Sequence, residues 1–413
     1  MELLKITLSV AFLAAISSFA GPITTVPWNG HKGAVSFTFD DGLQSQAYNL
    51  TFLDDMPDAK VTFFVCTGVF DFGSDPNPLL TYALKGHEIS NHTKTHTDLT
   101  QSLSAFDEIS GAAKILRTIG LEASSMATPG CSQNAVVKKV IDQEHFISRS
   151  CGGTGVISWT VEPDWMEISS NLWLDESKVE DFKSGLDLAA SASQWQVQLF
   201  HGVGADWYAI QPSDIQSLIE YAVQKDLWVA SFSTVGAYLR AHFTLDNAVA
   251  DSTPGGFKVT WASPHAHMPS SVPLRVMIQG AEGKNVIQNG KEIKANDDGS
   301  YTIEFMALEL EVSGVPVKVR QFNEPNTDPS LSEDLGAVAG STSIAQNIVF
   351  NKPVMVRCQI FDLNGELVKS ATVVAESAGE AWNNVKAGLM NGTYVMRYSE
   401  VNSGKMRIIK VRK

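Results

Sequence analysis

Val35-Ser36-Phe37-Thr38-Phe39-Asp40-Asp41-Gly42 is the stretch on which the fold turns. Val35–Phe39 reads as an apolar strand, and two carboxylates and a glycine follow it at once. Adjacent carboxylates at the C-terminal end of a buried strand suit a metal ligand beside a general base. Side chains alternate along a strand, so the two share a site only if the chain turns there, and Gly42 eases that turn. The tripeptide alone is an ordinary turn signal. Asp297-Asp298-Gly299 repeats it with no apolar strand ahead and no histidines, and reads as a turn only.

Working outward, Val61–Val65, Val197–Phe200 and Trp228–Phe232 also read as strands, and Asp214–Gln224 reads as a helix announced by Pro212-Ser213. From residue 24 to 243 such runs alternate with helical patterns, which argues for an α/β fold with a mainly parallel sheet or barrel. From 245 to 322 the texture is all-β. Val286-Ile287-Gln288, Asn289-Gly290, Lys291-Glu292-Ile293 is a two-residue hairpin signal, and the segment reads as a small β-sandwich. Residues 323–343 read as a linker. Residues 344–413 read as a second β-module, with a turn at Phe361-Asp362-Leu363-Asn364-Gly365 and closing strands at Tyr394–Tyr398 and Ile408–Val411.

The 413 residues hold Lys+Arg 31 and Asp+Glu 45, a net charge of −14, with 44% hydrophobic residues. This excludes a disordered chain, and the acid excess argues against a nucleic-acid partner, whose phosphates call for Lys and Arg. Residues 1–20 read as a secretory signal: Lys5, an apolar run from Leu8 to Ile16, then Ser18-Phe19-Ala20. No later stretch is apolar for long enough to predict a transmembrane helix. Export permits disulfides. Of Cys66, Cys131, Cys151 and Cys358, the pair Cys131–Cys151 is closest in sequence, each in a glycine-containing loop, and is the expected bridge; Cys66 reads as a buried thiol.

Further residues carry chemistry. In Asn91-His92-Thr93-Lys94-Thr95-His96, histidines at i and i+4 would share one face of a helical turn and could bind one metal. His201 ends the run Val197-Gln198-Leu199-Phe200 before Gly202, well placed to point into a barrel mouth. Ala127-Thr128-Pro129-Gly130 reads as a rigid loop, and Glu162-Pro163-Asp164-Trp165 sets a carboxylate beside an aromatic. Trp159, Trp165 and Trp207 are candidates to line a glycan cleft or to pack in the core. His265 and His267 form a pair with no carboxylate or Cys nearby in sequence, a poor second metal site.

Together these motifs resemble the polysaccharide deacetylases, carbohydrate esterase family 4, over roughly residues 30–240. Thr38-Phe39-Asp40-Asp41-Gly42 is similar to the family's first motif, His92-Thr93-Lys94-Thr95-His96 to its second, and Leu199-Phe200-His201 to its fifth. The resemblance implies a catalytic domain at 24–243 with a distorted (β/α) barrel, and the two β-regions after it read as small all-β, sandwich-like modules. It implies Asp40 as catalytic base, Asp41, His92 and His96 as ligands of a divalent metal (Zn2+ first, Co2+ next), and His201 as catalytic acid. Asp164 would interact with that acid, Trp165 would shape the pocket, and the Pro129 loop would lie against the substrate. The family's third motif has an Arg before Pro-x-Gly that pairs with the base. Here the stretch is Met126-Ala127-Thr128-Pro129-Gly130-Cys131, without Arg, so the base is expected to lack that cation.

The activity implied is hydrolysis of N- or O-linked acetyl groups from a glycan such as acetylxylan, chitin or peptidoglycan. The competing reading is an inactive, carbohydrate-binding relative. The C-terminal module resembles sorting domains of type IX secretion cargo, through Asp362-Leu363-Asn364-Gly365 and Gly392-Thr393-Tyr394. That resemblance implies secretion by a Gram-negative bacterium, with surface attachment and the secretion machinery as a partner.

Overall fold

The computed structural model describes residues 21–68, 78–101 and 104–314, and, further on, 349–361, 367–387, 389, 393–400 and 406–412. The expected signal segment 1–20, the expected linker 323–343, residues 362–365 of the expected turn and Asn391-Gly392 lie outside the described residues. The chain divides into two units, 1–320 and 321–413.

The first unit begins with β1 (Ile23–Thr25), β2 (Gly33–Phe39), β3 (Thr62–Val65), β4 (Glu88–Asn91), β5 (Ser125–Ala127), β6 (Ile147–Arg149), β7 (Val156–Ser158), β8 (Asn171–Leu172), β9 (Gln194–Phe200) and β10 (Leu227–Val229). β2 is the hub. One edge pairs in parallel with β10 at Gly33–Val35 and with β3 at Thr38–Phe39; the other runs along β9 from Ala34 to Phe39. The sheet continues in parallel from β3 through β4 and β5 to β6, while β9 takes β7 antiparallel and β8 parallel. A parallel bridge between Arg149 and Ile168 sets the chain leading into β8 beside β6, so the sheet curls into a half-barrel. This is an α/β fold.

Every residue of β2 is buried, as befits a parallel strand covered on both faces. Val35, Phe37 and Phe39 share a core with the helices Val179–Ala192 and Pro212–Gln224. The ring of Phe39 lies 5.5 Å from Phe63 and 5.6 Å from Phe200, which ties the C-terminal ends of β2, β3 and β9 side by side. On the other face, the buried hydroxyls of Ser36 and Thr38 donate to the carbonyls of Ala230 and Gln198 at 2.9 and 2.8 Å, which removes the cost of burying them.

The expected strand Trp228–Phe232 stops at Val229. Ser231 accepts a hydrogen bond from the Thr234 N–H and caps a helix, Phe232–Leu245, whose apolar first turn continues the hydrophobic run and hides the switch.

The β-region after residue 245 contains the expected hairpin. Val286–Gln288 pairs antiparallel with Lys291–Ile293, and Asn289 and Gly290 both have positive φ, as a two-residue turn of this kind requires. The region is not the self-contained module expected for 245–322. β1 pairs with Pro273–Ile278, the Tyr238 hydroxyl donates to the carbonyls of Val26 and Arg275, and one buried cluster runs from Trp195 and Phe232 to Trp261, Leu274, Phe305 and Val312. Partners so far apart in sequence leave no local signal. His265 and His267 serve this junction: their Nε2 atoms lie 2.8 and 2.9 Å from the carbonyls of Asp142 and Gln143, in the last turn of helix Ala135–Glu144.

The second unit is a four-stranded antiparallel sheet, Leu367–Ser377, Val349–Phe361, Thr393–Glu400 and Met406–Arg412 in spatial order. It is not all-β. Ser377 caps a helix, Ala378–Val385, whose Ala381, Trp382 and Val385 join Val356, Cys358, Ile360 and Met396 in a core. A single sheet closes its apolar face with a helix here rather than with a second sheet.

His145, between helix Ala135–Glu144 and β6, is fully buried. Its Nδ1 lies 2.9 Å from the Ala123 carbonyl, and its Nε2 2.9 Å from the Asn91 amide nitrogen. Burial, then the Arg117 charge, push its pKa from 6.5 down to about 3. A depressed histidine pKa favours the neutral form in the fold. Its contribution is therefore intact above pH 6.5 and is lost as pH falls toward the folded value, at about 1.4 kcal/mol per pH unit. Denaturant midpoints between pH 7 and 4 should fall less steeply for His145→Gln than for the native chain.

Candidate active site

The site is made of the residues that follow parallel strands. Asp40 and Asp41 follow β2, Cys66 follows β3, His92 follows β4, Thr128 follows β5, Arg149 closes β6 and His201 follows β9. These C-terminal ends surround a cavity of about 510 Å3, lined by Asp40, Asp41, Cys66, His92, His96 and His201 among others. Catalytic groups of a parallel α/β barrel belong at this mouth.

Asp41 has φ 74° and Gly42 φ 73°, so the chain does turn after β2 as the paired carboxylates require. Gly42 is demanded twice over, because a Cβ there would also meet Val65 Cγ1 at 2.9 Å. Gln46 holds the turn: its side-chain amide donates to the carbonyls of Asp40 at 2.6 Å and His201 at 2.9 Å, joining the ends of β2 and β9.

The two histidines are brought together by a loop, not by the helical turn expected. Thr93 and His96 have φ of 69° and 58°, which breaks any helix. Side chains replace the missing helical bonds. Asn91 Oδ1 accepts from the Thr93 N–H, Thr93 Oγ1 from the His96 N–H, and the Glu108 carboxylate from the N–H groups of Lys94 and Thr95 and the Thr95 hydroxyl.

His92 Nδ1 lies 2.8 Å from the Ala127 carbonyl, so its N–H is committed there and Nε2 faces the carboxylates. That Nε2 is 3.4 Å from Asp41 Oδ1, and His96 Nε2 is 3.3 Å from the same oxygen. Asp41 Oδ1 is buried and has no hydrogen-bond partner among the described residues. An acceptor oxygen facing two imidazole nitrogens is satisfied by a proton or by a cation between them, and this donor set fits a divalent metal. The Cys66 sulfur adds a fourth donor: one ligand atom each from Asp41, Cys66 and His92 lie within 4.8 Å of one another. Burial, then the charges of Asp41 and Asp40, push the Cys66 thiol pKa up. Burial also works against the Asp41 carboxylate, yet the close approach and charge of His92, with the charges of His201 and His96, outweigh it and hold the pKa at about 2. Burial disfavours a charged His92, but Asp40 and Asp41 outweigh it and raise its pKa. For His201 burial prevails over the same carboxylates and lowers the pKa.

The cation expected to be missing from the base is present, on a different strand. Arg149 Nη2 lies 2.5 Å from both Oδ1 and Oδ2 of Asp40, with both side chains buried. The guanidinium stacks 5.2 Å over the Phe64 ring, and its Nη1 donates to Ser170 Oγ. Two residues on, Cys151 is bridged to Cys131 as expected, so the loop after β5 is fastened to the end of β6, and both cysteines line the cavity.

Asp164, Trp165 and Pro129 do not join the site. Asp164 pairs with Lys138 Nζ at 2.7 Å, accepts from the Met166 N–H, and is absent from the cavity wall. His201 Nδ1 has no hydrogen-bond partner among the described residues, so Asp164 does not orient it. Trp165 is buried, bonds Glu162 and stacks under Arg240, because the Glu162–Trp165 loop folds toward the helix Phe232–Leu245. Pro129 is buried in a short helical turn, and its neighbours Thr128 and Gly130 line the cavity instead. Trp159 packs on Trp28 and His242. The aromatic wall is Trp207 and Tyr208: the Trp207 indole N–H donates to Asp41 Oδ2 at 3.0 Å, and Tyr208 lies edge-on to His201. Arg149, Gln46 and Glu108 carry no motif signal. The one hint for Arg149 was an arginine ending an apolar run just before a loop cysteine.

The sheet and its mouth define a parallel-strand α/β site with a cluster of side chains that could hold a metal. Residues 29–145 match the family model described as polysaccharide deacetylase. A gellan lyase from Bacillus sp is 34% identical over 107 residues, 25% of this chain and 4% of that protein, so the chain spans only a small fraction of that curated relative. Solved structures similar to this chain include the Xyl-CE4 domain of a multidomain xylanase from the hindgut metagenome of Trinervitermes trinervoides, at 18% identity over 49% of this chain and 88% of that one, TM-score 0.37. The chitin deacetylase of Colletotrichum lindemuthianum is 18% identical over 50% of this chain and 87% of that one, TM-score 0.36.

Arg149→Met would leave Asp40 buried without its counter-charge and should cost about 3–5 kcal/mol of stability. Adding Asp40→Asn should restore a large part of the loss. A double-mutant cycle by denaturant unfolding reads this; additive losses would mean that the pair is not coupled.

Proposed function

We propose that the chain is a secreted, metal-dependent polysaccharide deacetylase that hydrolyses acetyl groups from a glycan. The observation that carries this reading is the unpartnered Asp41 Oδ1 facing the two imidazoles, with an Arg-paired Asp40 on the same turn and His201 on the same cavity wall. Asp41, His92 and His96 would hold the metal, with Cys66 alongside. Imidazole donors favour Zn2+, with Co2+ next, over the harder Mg2+. A bound divalent metal supplies acidity to a coordinated water and polarises an acyl carbonyl.

The chain's own groups do the rest. Arg149 holds both oxygens of Asp40 in one orientation, so Asp40 is placed to take the proton of the attacking water. His201, whose backbone Gln46 ties to that of Asp40, gives a proton to the departing nitrogen or oxygen. The buried side chains of Leu43 and Leu199, with half-buried Leu172 beside them, exclude bulk water from the acyl group. Acetylxylan, chitin and peptidoglycan remain the candidate substrates. Export is supported by the signal-like residues 1–20 and by the Cys131–Cys151 bridge, which persists in oxidising compartments. The sorting role of residues 344–413 rests on their sequence resemblance.

Acetate release from a panel of acetylated xylo- and chito-oligosaccharides, with metal analysis, tests the reading. Chelation and Asp41→Asn should both abolish turnover. His201→Ala should lower turnover of N-acetyl substrates by about 100-fold or more and of O-acetyl esters less, since an amine leaves poorly without a proton. Oligosaccharide binding with no acetate released from any substrate would support the inactive, glycan-binding reading instead.

A further inference from the structure

The loop from Gly202 to Ile210 presents one indole in an unusual way. Trp207 is 53% exposed, yet its N–H is spent on Asp41 Oδ2, an atom of a buried carboxylate. The loop is shaped for this. Asp206 and Tyr208, on either side of Trp207, have left-handed φ of 69° and 47°, a conformation that costs energy for residues with a side chain. Gly202 donates to the Trp207 carbonyl and receives the Ile210 N–H, Gly204 donates back to Ile210, and Ser45 Oγ accepts from the Val203 N–H. A Cβ on Gly202 would meet the Ala205 carbonyl oxygen at 2.0 Å, so the loop closes this tightly only over glycine. Burying the indole would gain apolar free energy, and the fold forgoes it.

We propose that Trp207 is the positioning residue of the metal-binding carboxylate and, through its exposed ring, the sugar platform of the same cavity. The inference rests on the metal-dependent reading above. The indole N–H occupies Oδ2, which leaves Oδ1 as the one free oxygen aimed at His92 and His96 and presents Asp41 to a metal through a single oxygen. Outer partners that orient a metal ligand govern affinity strongly. The ring wall beside His201 offers an apolar face to a pyranose, the role that Trp165 cannot play from its buried position.

The test uses the full chain with Trp207→Phe, which keeps a ring and removes the N–H, and Trp207→Ala, which removes both. Zn2+ affinity is measured by competition with a chromophoric chelator, Co2+ coordination by visible absorption, and glycan binding by calorimetry with chitopentaose in the absence of metal. Trp207→Phe should weaken Zn2+ binding by about 10-fold or more. It should dim the Co2+ visible bands as the freed carboxylate chelates through both oxygens, and leave chitopentaose affinity within about twofold. Trp207→Ala should lose both. The metal-free unfolding midpoint of Trp207→Phe should match that of the native chain. Native-like Zn2+ affinity and Co2+ spectrum in Trp207→Phe, or a metal loss that merely follows a fall in metal-free stability, overturns the positioning role. Unchanged chitopentaose binding in Trp207→Ala overturns the platform. A native chain that binds no Zn2+, with Asp41→Asn no different, overturns the metal reading itself and is recognised before either variant is compared.

Discussion

The pair between Arg149 and Asp40 is the interaction around which the mouth of the half-barrel is arranged. Two opposite charges buried together hold their place only with close geometry and further hydrogen bonds, because removing both from water costs more than a loose contact returns. Here both carboxylate oxygens, Ser170 and the ring of Phe64 complete the setting. The pair joins β2 to β6, strands that are not neighbours in the sheet, directly across the mouth. Phe39 with Phe63 and Phe200 makes the corresponding tie among β2, β3 and β9.

Around that pair the strained positions gather. Asp41, Thr93, His96, Asp206 and Tyr208 all hold left-handed backbone without being glycine, and each lies on a loop at this mouth. Their cost is offset by side chains that have no part in chemistry. Gln46 fastens the Asp40 turn, Asn91 and Glu108 build the histidine loop, and Ser45 latches the loop of Trp207. His145 hydrogen-bonds Asn91, so a buried neutral imidazole two contacts away supports the approach of His92 and His96.

How much of this the sequence disclosed follows from where each signal lies. Asp40, Asp41 and His201 stand at or just beyond the end of an apolar run and His92 and His96 are spaced at i and i+4, all local patterns, and the structure brings all five to one cavity. The hairpin at Asn289-Gly290 and the bridge Cys131–Cys151 were legible for the same reason. Arg149 was not, because the motif that should carry the cation lies on β5 and the cation arrives from β6; the two strands are adjacent in space, and only the sheet shows that one can serve for the other. Asp164 and Trp165 kept a familiar spacing but not its geometry, since Lys138 and Arg240 draw that loop away. The histidine pair was read with the right partners and the wrong backbone, because spacing of four is compatible with a helix and with a loop alike.

The antiparallel pairing of β1 with Pro273–Ile278 has a consequence for how the chain can be divided rather than for catalysis. A barrel cut after residue 243 would leave β1 without a sheet, strip Trp195 and Phe232 of the apolar wall that Leu274 and Phe305 complete, and leave helix Ala135–Glu144 without the imidazoles at its end. The piece to be fused or expressed alone is therefore the first unit, which ends at residue 320, and not the barrel cut at 243.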